Sequence, residues 1–303
     1  LRRFFILWGE QYLYSPTPLQ KLLSTLLLPI SYLYCALAFL RYRLSLELDL
    51  GVPIVSIGNL SVGGSGKTPL TSALAQRYKH SAIILRGYGR KSRGLQVVSD
   101  GSSVLCSVEV SGDEAMEYAL RVPSSIIIVS EDRVKGIIKA KELGAKVIFL
   151  DDGYSKHNIK KLDIIIETNT ISNRCLPSGA YRERLYSNKK ALIIRDGVEF
   201  KRVVKIKNPD DHMVLVTAIA RADRLDKYLP QLKGKYYFED HHYFTLKELQ
   251  DALDNSSADK ILTTLKDYVK MRQFDLEIAI IELEIELNKS LINSVDSYIK
   301  EQI

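Results

Sequence analysis

Asn59-Leu-Ser-Val-Gly-Gly-Ser-Gly-Lys-Thr-Pro69 has the residue types and spacing to hold a run of phosphates. Its glycines let the backbone turn so that several N–H groups aim at one anion. A helix beginning at Thr68 would add the positive end of its dipole. The expected cradle is Ser61, Val62, Gly63, Gly64, Ser65, Gly66, Lys67 and Thr68. Lys67 would reach the β- and γ-phosphates, and the Thr68 hydroxyl would hold Mg²⁺. The common form of this loop opens on glycine, and Ser61 stands at that position.

Other clusters could share that chemistry. Lys146-Val-Ile-Phe-Leu-Asp-Asp-Gly153 is an apolar run ending in two carboxylates, and one of Asp151 and Asp152 would hold Mg²⁺ directly or through water. Arg86-Gly-Tyr-Gly-Arg-Lys-Ser-Arg-Gly94 sets four cations among three glycines, a loop able to wrap phosphates, with Tyr88 available to stack on a base or sugar. Asp113, in Ser111-Gly-Asp-Glu114, is either a helix cap or the acceptor of a proton from an attacking hydroxyl. Glu239-Asp-His-His-Tyr243 holds two of the five histidines, as a surface turn or as the source of a histidine for such an acid. In Leu176-Pro-Ser-Gly-Ala-Tyr-Arg-Glu183, Arg182 could neutralise transferring phosphoryl charge and Glu183 could join the metal shell.

The elements that must position these residues alternate along the chain. Apolar runs at 53–57, 82–85, 125–129, 147–150 and 163–166 read as strands, with helical patterns at 68–78, 113–121 and 132–143 between them. Continuous apolar strands separated by helices predict a parallel sheet covered on both faces, with ligands at the carboxyl ends of its strands. A second set occupies the rest of the chain: strands near 191–194, 213–217 and 260–263, and helices near 222–229, 246–253 and 290–300. The expected fold class is therefore α/β. It comprises a membrane-associated segment over 1–45, a P-loop domain with a mostly parallel sheet over 46–180, and a smaller α/β lobe over 181–303.

Composition narrows the partners. With 46% hydrophobic and 26% charged residues among 303, the chain is not disordered and can bury a real core. A net charge of +7 favours an anionic partner: nucleic acid, an acidic membrane or a phosphorylated substrate. Cys35, Cys106 and Cys175 are widely separated, which predicts a reducing compartment and no disulfide framework. Residues 22–40 carry no charge and are bounded by Lys21 and Arg41, a length just able to cross a bilayer core. Residues 1–19, with Phe4, Phe5 and Trp8, suit a membrane surface. Pro29, Ser24, Thr25 and Ser31 suit a kinked or partly inserted helix equally well, and a buried core helix or a cleaved signal ending at Ala36-Leu37-Ala38 are the alternatives.

Taken together, the motifs resemble the tetraacyldisaccharide 4′-kinase family of lipid A biosynthesis. The similarity runs in order through Gly63-Gly-Ser-Gly-Lys-Thr-Pro69, Arg86-Gly-Tyr-Gly-Arg90, Gly112-Asp-Glu114, Asp151-Asp-Gly153, Leu176-Pro-Ser-Gly179 with Arg182-Glu183, and Asp240-His-His242. The family's loop also lacks the first glycine. The resemblance implies a kinase that uses ATP and Mg²⁺ to phosphorylate the 4′-hydroxyl of a tetraacylated glucosamine disaccharide 1-phosphate. The work would be done at the cytoplasmic face of the inner membrane, with a lipid partner and neither nucleic acid nor a protein partner. It carries a catalytic acid–histidine pair onto Asp113 and His241, and an acidic metal pair onto Asp151 and Asp152. Arg86, Tyr88, Arg90 and Arg133 would face the substrate, and Lys67 and Arg182 the transferring phosphoryl group. Two departures stand out: Asp151-Asp-Gly-Tyr-Ser-Lys-His157 replaces Asp-Asp-Gly-Phe-Gln-His, and Thr264-Leu-Lys-Asp267 replaces Thr-Glu-Lys-Asp. A GTPase would need Asn-Lys-x-Asp, which Asn188-Lys-Lys-Ala191 fails at its last position, and no stacking motif supports a nucleic-acid-stimulated ATPase.

Overall fold

The computed structural model describes residues 2–63, 66–187, 189–219 and 222–302, with side chains from Trp8 onward. Gly64 and Ser65 of the glycine-rich turn, Asn188, and the side chains of Phe4 and Phe5 lie outside the described residues. In chain order the first elements are α1 (Arg2–Tyr14), α2 (Pro18–Leu26), α3 (Leu28–Arg43), β1 (Ile54–Gly58), α4 (Lys67–Ala75), β2 (Ser81–Leu85) and β3 (Gln96–Asp100). Next come α5 (Val108–Ser111), α6 (Asp113–Arg121), β4 (Ile126–Val129), α7 (Arg133–Glu142), β5 (Val147–Asp151), β6 (Leu162–Ile166) and β7 (Ala191–Ile194). The rest are β8 (Phe200–Lys207), β9 (Met213–Thr217), β10 (Gly234–Tyr237), α8 (Leu246–Ser256), β11 (Lys260–Thr264), α9 (Leu265–Met271), β12 (Ile278–Leu287) and α10 (Lys289–Gln302). Residues Ala222–Tyr228 form a 3₁₀ turn with no buried residue, where the sequence predicts an ordinary helix.

Two compact units emerge, each from separate stretches of chain. The first holds Leu1–Lys67, Lys146–Phe200 and Asn288–Ile303; the second holds Thr68–Ala145 and Lys201–Leu287. In the first unit the strands run β5-β1-β6-β7, all parallel. Ile54, Val55 and Ile57 are fully buried, as continuous apolar strands in a covered parallel sheet must be. In the second unit β2 pairs with β4 in parallel and β3 lies antiparallel to β4. A further sheet has the order β10-β9-β11-β12-β8. Its β12 reads Ile-Ala-Ile-Ile-Glu-Leu-Glu-Ile-Glu-Leu, a half-exposed alternation beyond the continuous apolar runs that marked the other strands.

The amino-terminal segment differs from a single span. Among the described residues no single helix is long and apolar enough to cross a membrane; α2 and α3 together would pass by length and composition but are bent by 57°. The break falls at Leu27, where Pro29 opens α3. Its polar residues are engaged: Ser24 donates to the Ser178 carbonyl at 2.6 Å, and Ser31 accepts from the Ser178 N–H at 2.9 Å. Cys35 and Cys175 are disulfide-bonded, which corrects the expectation of no disulfide framework. A sequence separation of 140 residues hid that pairing, because α3 and the 175–179 loop meet only in the folded chain. Opposite this polar seam, Leu22, Leu26, Ile30, Leu33, Leu37 and Leu40 are all exposed.

Candidate active site

The cluster around the glycine-rich turn lies in the first unit, at the carboxyl ends of adjacent parallel strands. Ile57 of β1 is in register with Asp151 of β5, so the Asn59 loop leaving β1 and the Asp152 turn leaving β5 are neighbours. Lys67 Nζ reaches Asn59 Oδ1 at 3.1 Å and Asp152 Oδ1 at 3.7 Å. Arg182 hydrogen-bonds to the same two side chains, at 3.1 Å to Asn59 and closer to Asp152. Two cations are thus held in front of the glycine-rich turn by one carboxylate and one amide. Asp152 has φ of 52°, a left-handed conformation costly for a residue with a Cβ, and such strain concentrates at functional sites. Asn59 is a member that sequence reasoning missed, since an amide immediately before a glycine-rich turn has no signature of its own.

The turn that carries Asp152 has no slack. A Cβ on Gly153 would lie 2.6 Å from Leu150 Cβ and 2.9 Å from Ser56 Oγ. Gly153→Ala should therefore destabilise the fold by about 1–3 kcal/mol, as overpacking does. Urea unfolding checks this; an unchanged midpoint would show that the turn can relax.

The donors match a polyphosphate with a hard metal ion. Gly63 and Gly66 both take positive φ, α4 has no acidic residue in its first turn, and two cations stand ready for phosphate charge. Among the described residues no group of three or more His, Cys, Asp or Glu side chains could hold a metal alone.

Other predicted residues are placed differently. The Ser61 hydroxyl bonds Thr168 at 2.7 Å, and the Val62 N–H donates to the Ala180 carbonyl at 2.8 Å. The Val62 carbonyl accepts from Tyr14, whose hydroxyl lies 3.0 Å from where a Gly63 Cβ would sit. The leading edge of the loop is therefore braced on both sides. Glu183 is buried and turned to Arg41 and to His157, whose Nε2 is 3.4 Å away. His157 also meets Lys189 at 2.8 Å, and burial holds its imidazole below the usual range despite Glu183. Arg133 is buried and donates to the Ser130 carbonyl in its own turn. Arg90 bonds Ser92, the Gly94 carbonyl and Glu131, bracketing the 86–94 loop, whereas Arg86 and Tyr88 are exposed.

A second cluster lies wholly in the second unit. Gly112, with φ of 83°, ends α5 and caps α6, placing Asp113 as the first residue of α6. His241, 128 residues away in sequence, brings Nδ1 to 2.8 Å from Asp113 Oδ2. It too is left-handed, with φ of 64°, and its Nε2 is 3.5 Å from Asp240. The Tyr88 ring lies 5.4 Å from the imidazole, and a Cβ on Gly89 would come 3.6 Å from Nδ1, so the 86–94 loop borders the pair. Burial works against ionising Asp113. The His241 hydrogen bond and the Lys266 and Lys270 ammonium groups outweigh it and hold the carboxyl below the usual range. Lys266 and Lys270 were not singled out from the sequence; their spacing on α9, beside the Thr264–Asp267 motif, is the only signal for them.

With this geometry in hand, the chain can be set beside known proteins. A family model described as tetraacyldisaccharide-1-P 4′-kinase matches residues 23–208 and 191–300. A protein from Aliarcobacter butzleri named tetraacyldisaccharide 4′-kinase is 44% identical over 304 residues, covering 97% of each chain. The protein of the same name from Helicobacter pylori is 41% identical over 294 residues, 96% of this chain and 94% of its own. Among solved structures, the "apo" form of LpxK from Aquifex aeolicus in complex with ATP superposes with a TM-score of 0.74 at 26% identity. It covers 92% of this chain and 99% of that one.

Proposed function

This chain belongs to the tetraacyldisaccharide-1-phosphate 4′-kinase family, and we propose that it transfers the γ-phosphoryl group of ATP to the 4′-hydroxyl of a tetraacylated glucosamine disaccharide 1-phosphate, giving lipid IVA. The observation that carries the acceptor side is the Asp113–His241 pair at 2.8 Å. Phosphoryl transfer asks a protein mainly for positioning and charge stabilisation. Lys67 and Arg182 supply the charge: Lys67 meets the β- and γ-phosphates, and Arg182 meets the charge that develops on the transferring group. Asn59 keeps the two cations at a fixed spacing. Mg²⁺, held by Thr68 and one of Asp151 and Asp152, would neutralise further phosphate charge when bound.

Asp113, ionised and oriented by His241, receives the proton of the acceptor hydroxyl as the new O–P bond forms. A carboxylate held this low is a weak base alone, so His241 shares the proton through Nδ1. Arg86 and Tyr88, both exposed on the bordering loop, are the residues suited to the sugar and its phosphate.

The apolar face of α2 and α3 lies on a membrane surface in this reading. Six exposed leucine and isoleucine side chains on adjoining helices, flanked by Lys21, Arg41 and Arg43, match an interfacial anchor near anionic lipid. A tetraacylated substrate stays in the bilayer, because each exposed CH₂ costs about 0.8 kcal/mol. The positive charge then serves lipid and phosphate rather than nucleic acid.

One experiment tests both parts. The intact chain, γ-labelled ATP, Mg²⁺ and the disaccharide monophosphate in anionic vesicles should yield one labelled lipid on thin-layer separation. Leu33→Glu combined with Leu37→Glu should remove the protein from floated vesicles and cut lipid phosphorylation about tenfold or more, with ATP binding kept. Absence of labelled lipid from the folded chain would overturn the kinase reading; full flotation of the double variant would overturn the membrane face.

A further inference from the structure

Lys270 is almost wholly buried, yet its ammonium group lies 3.8 Å from Asp113 Oδ2 and 2.9 Å from Asp267 Oδ1. Burying an ammonium group is costly unless its partners are fixed, and these partners tie it to the acceptor-site pair from two directions. Asp267 is fully buried, and its other oxygen accepts from the Thr217 hydroxyl at 2.7 Å and the Ala218 N–H at 2.9 Å. The carbonyl of that same Ala218 accepts from the His241 N–H at 3.2 Å. A single carboxylate therefore fixes the lysine that faces Asp113 and the backbone that carries His241. Lys266, one turn back on α9, stands 3.9 Å from Asp113 and 3.4 Å from Asp240.

We propose that Lys270, seconded by Lys266 and anchored by Asp267, is a positioning residue for phosphoryl transfer that sits behind the Asp113 carboxylate and keeps it aligned with His241. This rests on the reading of Asp113 and His241 as the acceptor-site pair. Lys270 itself is too buried to touch a substrate, so it acts through Asp113. The charged and titratable groups around the pair are Glu114 from α6, Asp240 and Tyr243 from the loop, and Lys266, Asp267 and Lys270 from α9. Burial works against the Lys266 ammonium, and the carboxylates of Asp113, Asp240, Glu114 and Asp267 outweigh it and hold its pKa above the usual lysine range. Asp113 is accordingly faced by the ammonium groups of both Lys266 and Lys270. Removing one strengthens the hold of Asp113 on a proton.

The test is the pH dependence of kcat for Lys270→Met, Lys270→Arg and Asp113→Ala in the intact chain, with ATP and the disaccharide monophosphate. Lys270→Met should lower kcat about tenfold, move its acid limb up by about one pH unit, and leave KM for ATP unchanged. Lys270→Arg keeps the charge and should leave the limb at its wild-type position. If Asp113→Ala cripples kcat while the Lys270→Met limb stays in place and only Tm falls, Lys270 is structural and the inference is wrong. Near-wild-type kcat in Asp113→Ala would instead remove the acceptor-site reading, and this inference with it. Should Lys270→Met fail to fold, Lys266→Met is read by the same limb, and an unmoved limb there overturns the proposal.

Discussion

Asp113→Ala and His241→Ala should each lower kcat by about 10²–10⁴-fold, with little change in the affinity for ATP. The double variant should be scarcely worse than the poorer single one. On the proposed role, two groups 2.8 Å apart that share one proton act as a unit, and removing either leaves the other without its task. Steady-state kinetics on all three variants checks this. Multiplying losses, or an effect confined to KM for ATP, would place one residue outside the acceptor site. Asp113→Ala should also flatten the acid side of the stability curve. A carboxyl held below its usual range adds stability above the unfolded-state value and loses it as pH falls through the lower folded value.

Lys67→Ala should reduce kcat/KM for ATP by about 10²–10³-fold while thermal unfolding stays within a few degrees of wild type. The Lys67 side chain is largely covered, yet its partners are polar groups at the loop, Asn59 and Asp152, and Arg182 still holds both after the change. Loss of charge at the phosphates is therefore felt in turnover rather than in folding. A folded Lys67→Ala protein with near-wild-type activity would remove the nucleotide role of the loop. Binding of a fluorescent ATP analogue separates the two effects, since lost affinity with intact chemistry would assign Lys67 to ground-state binding alone.

Legibility in the sequence tracked the range of the interactions. Strands β1, β2, β4, β5 and β6 were readable because each is a continuous apolar run between helices, a signature of burial on both faces. The glycine-rich spacing at 61–68 and the Asp151–Asp152 pair stand out because they are local features of the chain. The amino-terminal segment was half legible. Its apolar content and the kink at Pro29 showed, but the engagement of Ser24 and Ser31 depends on a loop some 150 residues downstream.

Strands β8 and β12 were missed because their alternating charges suit half-exposed surfaces, whose polarity resembles that of loops. Glu183 illustrates the limit at the site: its place beside Arg182 suggested the metal shell, and the fold turns it to Arg41 and His157. Arg90 looked like a cation for substrate and is consumed in bracing its own loop.

By itself the sequence determined which chemistry is available: a glycine-rich turn with Lys67 and Thr68, carboxylates at a strand end, and an acid at a helix start. These depend on contacts within a few residues, where backbone geometry leaves little choice. Only the tertiary structure decided which charges face one another. The 2.8 Å approach of His241 to Asp113, the buried Lys270 behind it, and the Cys35–Cys175 link join residues separated by 128, 157 and 140 positions. Electrostatic coupling depends on distance in space and on burial. A linear order of residues records neither.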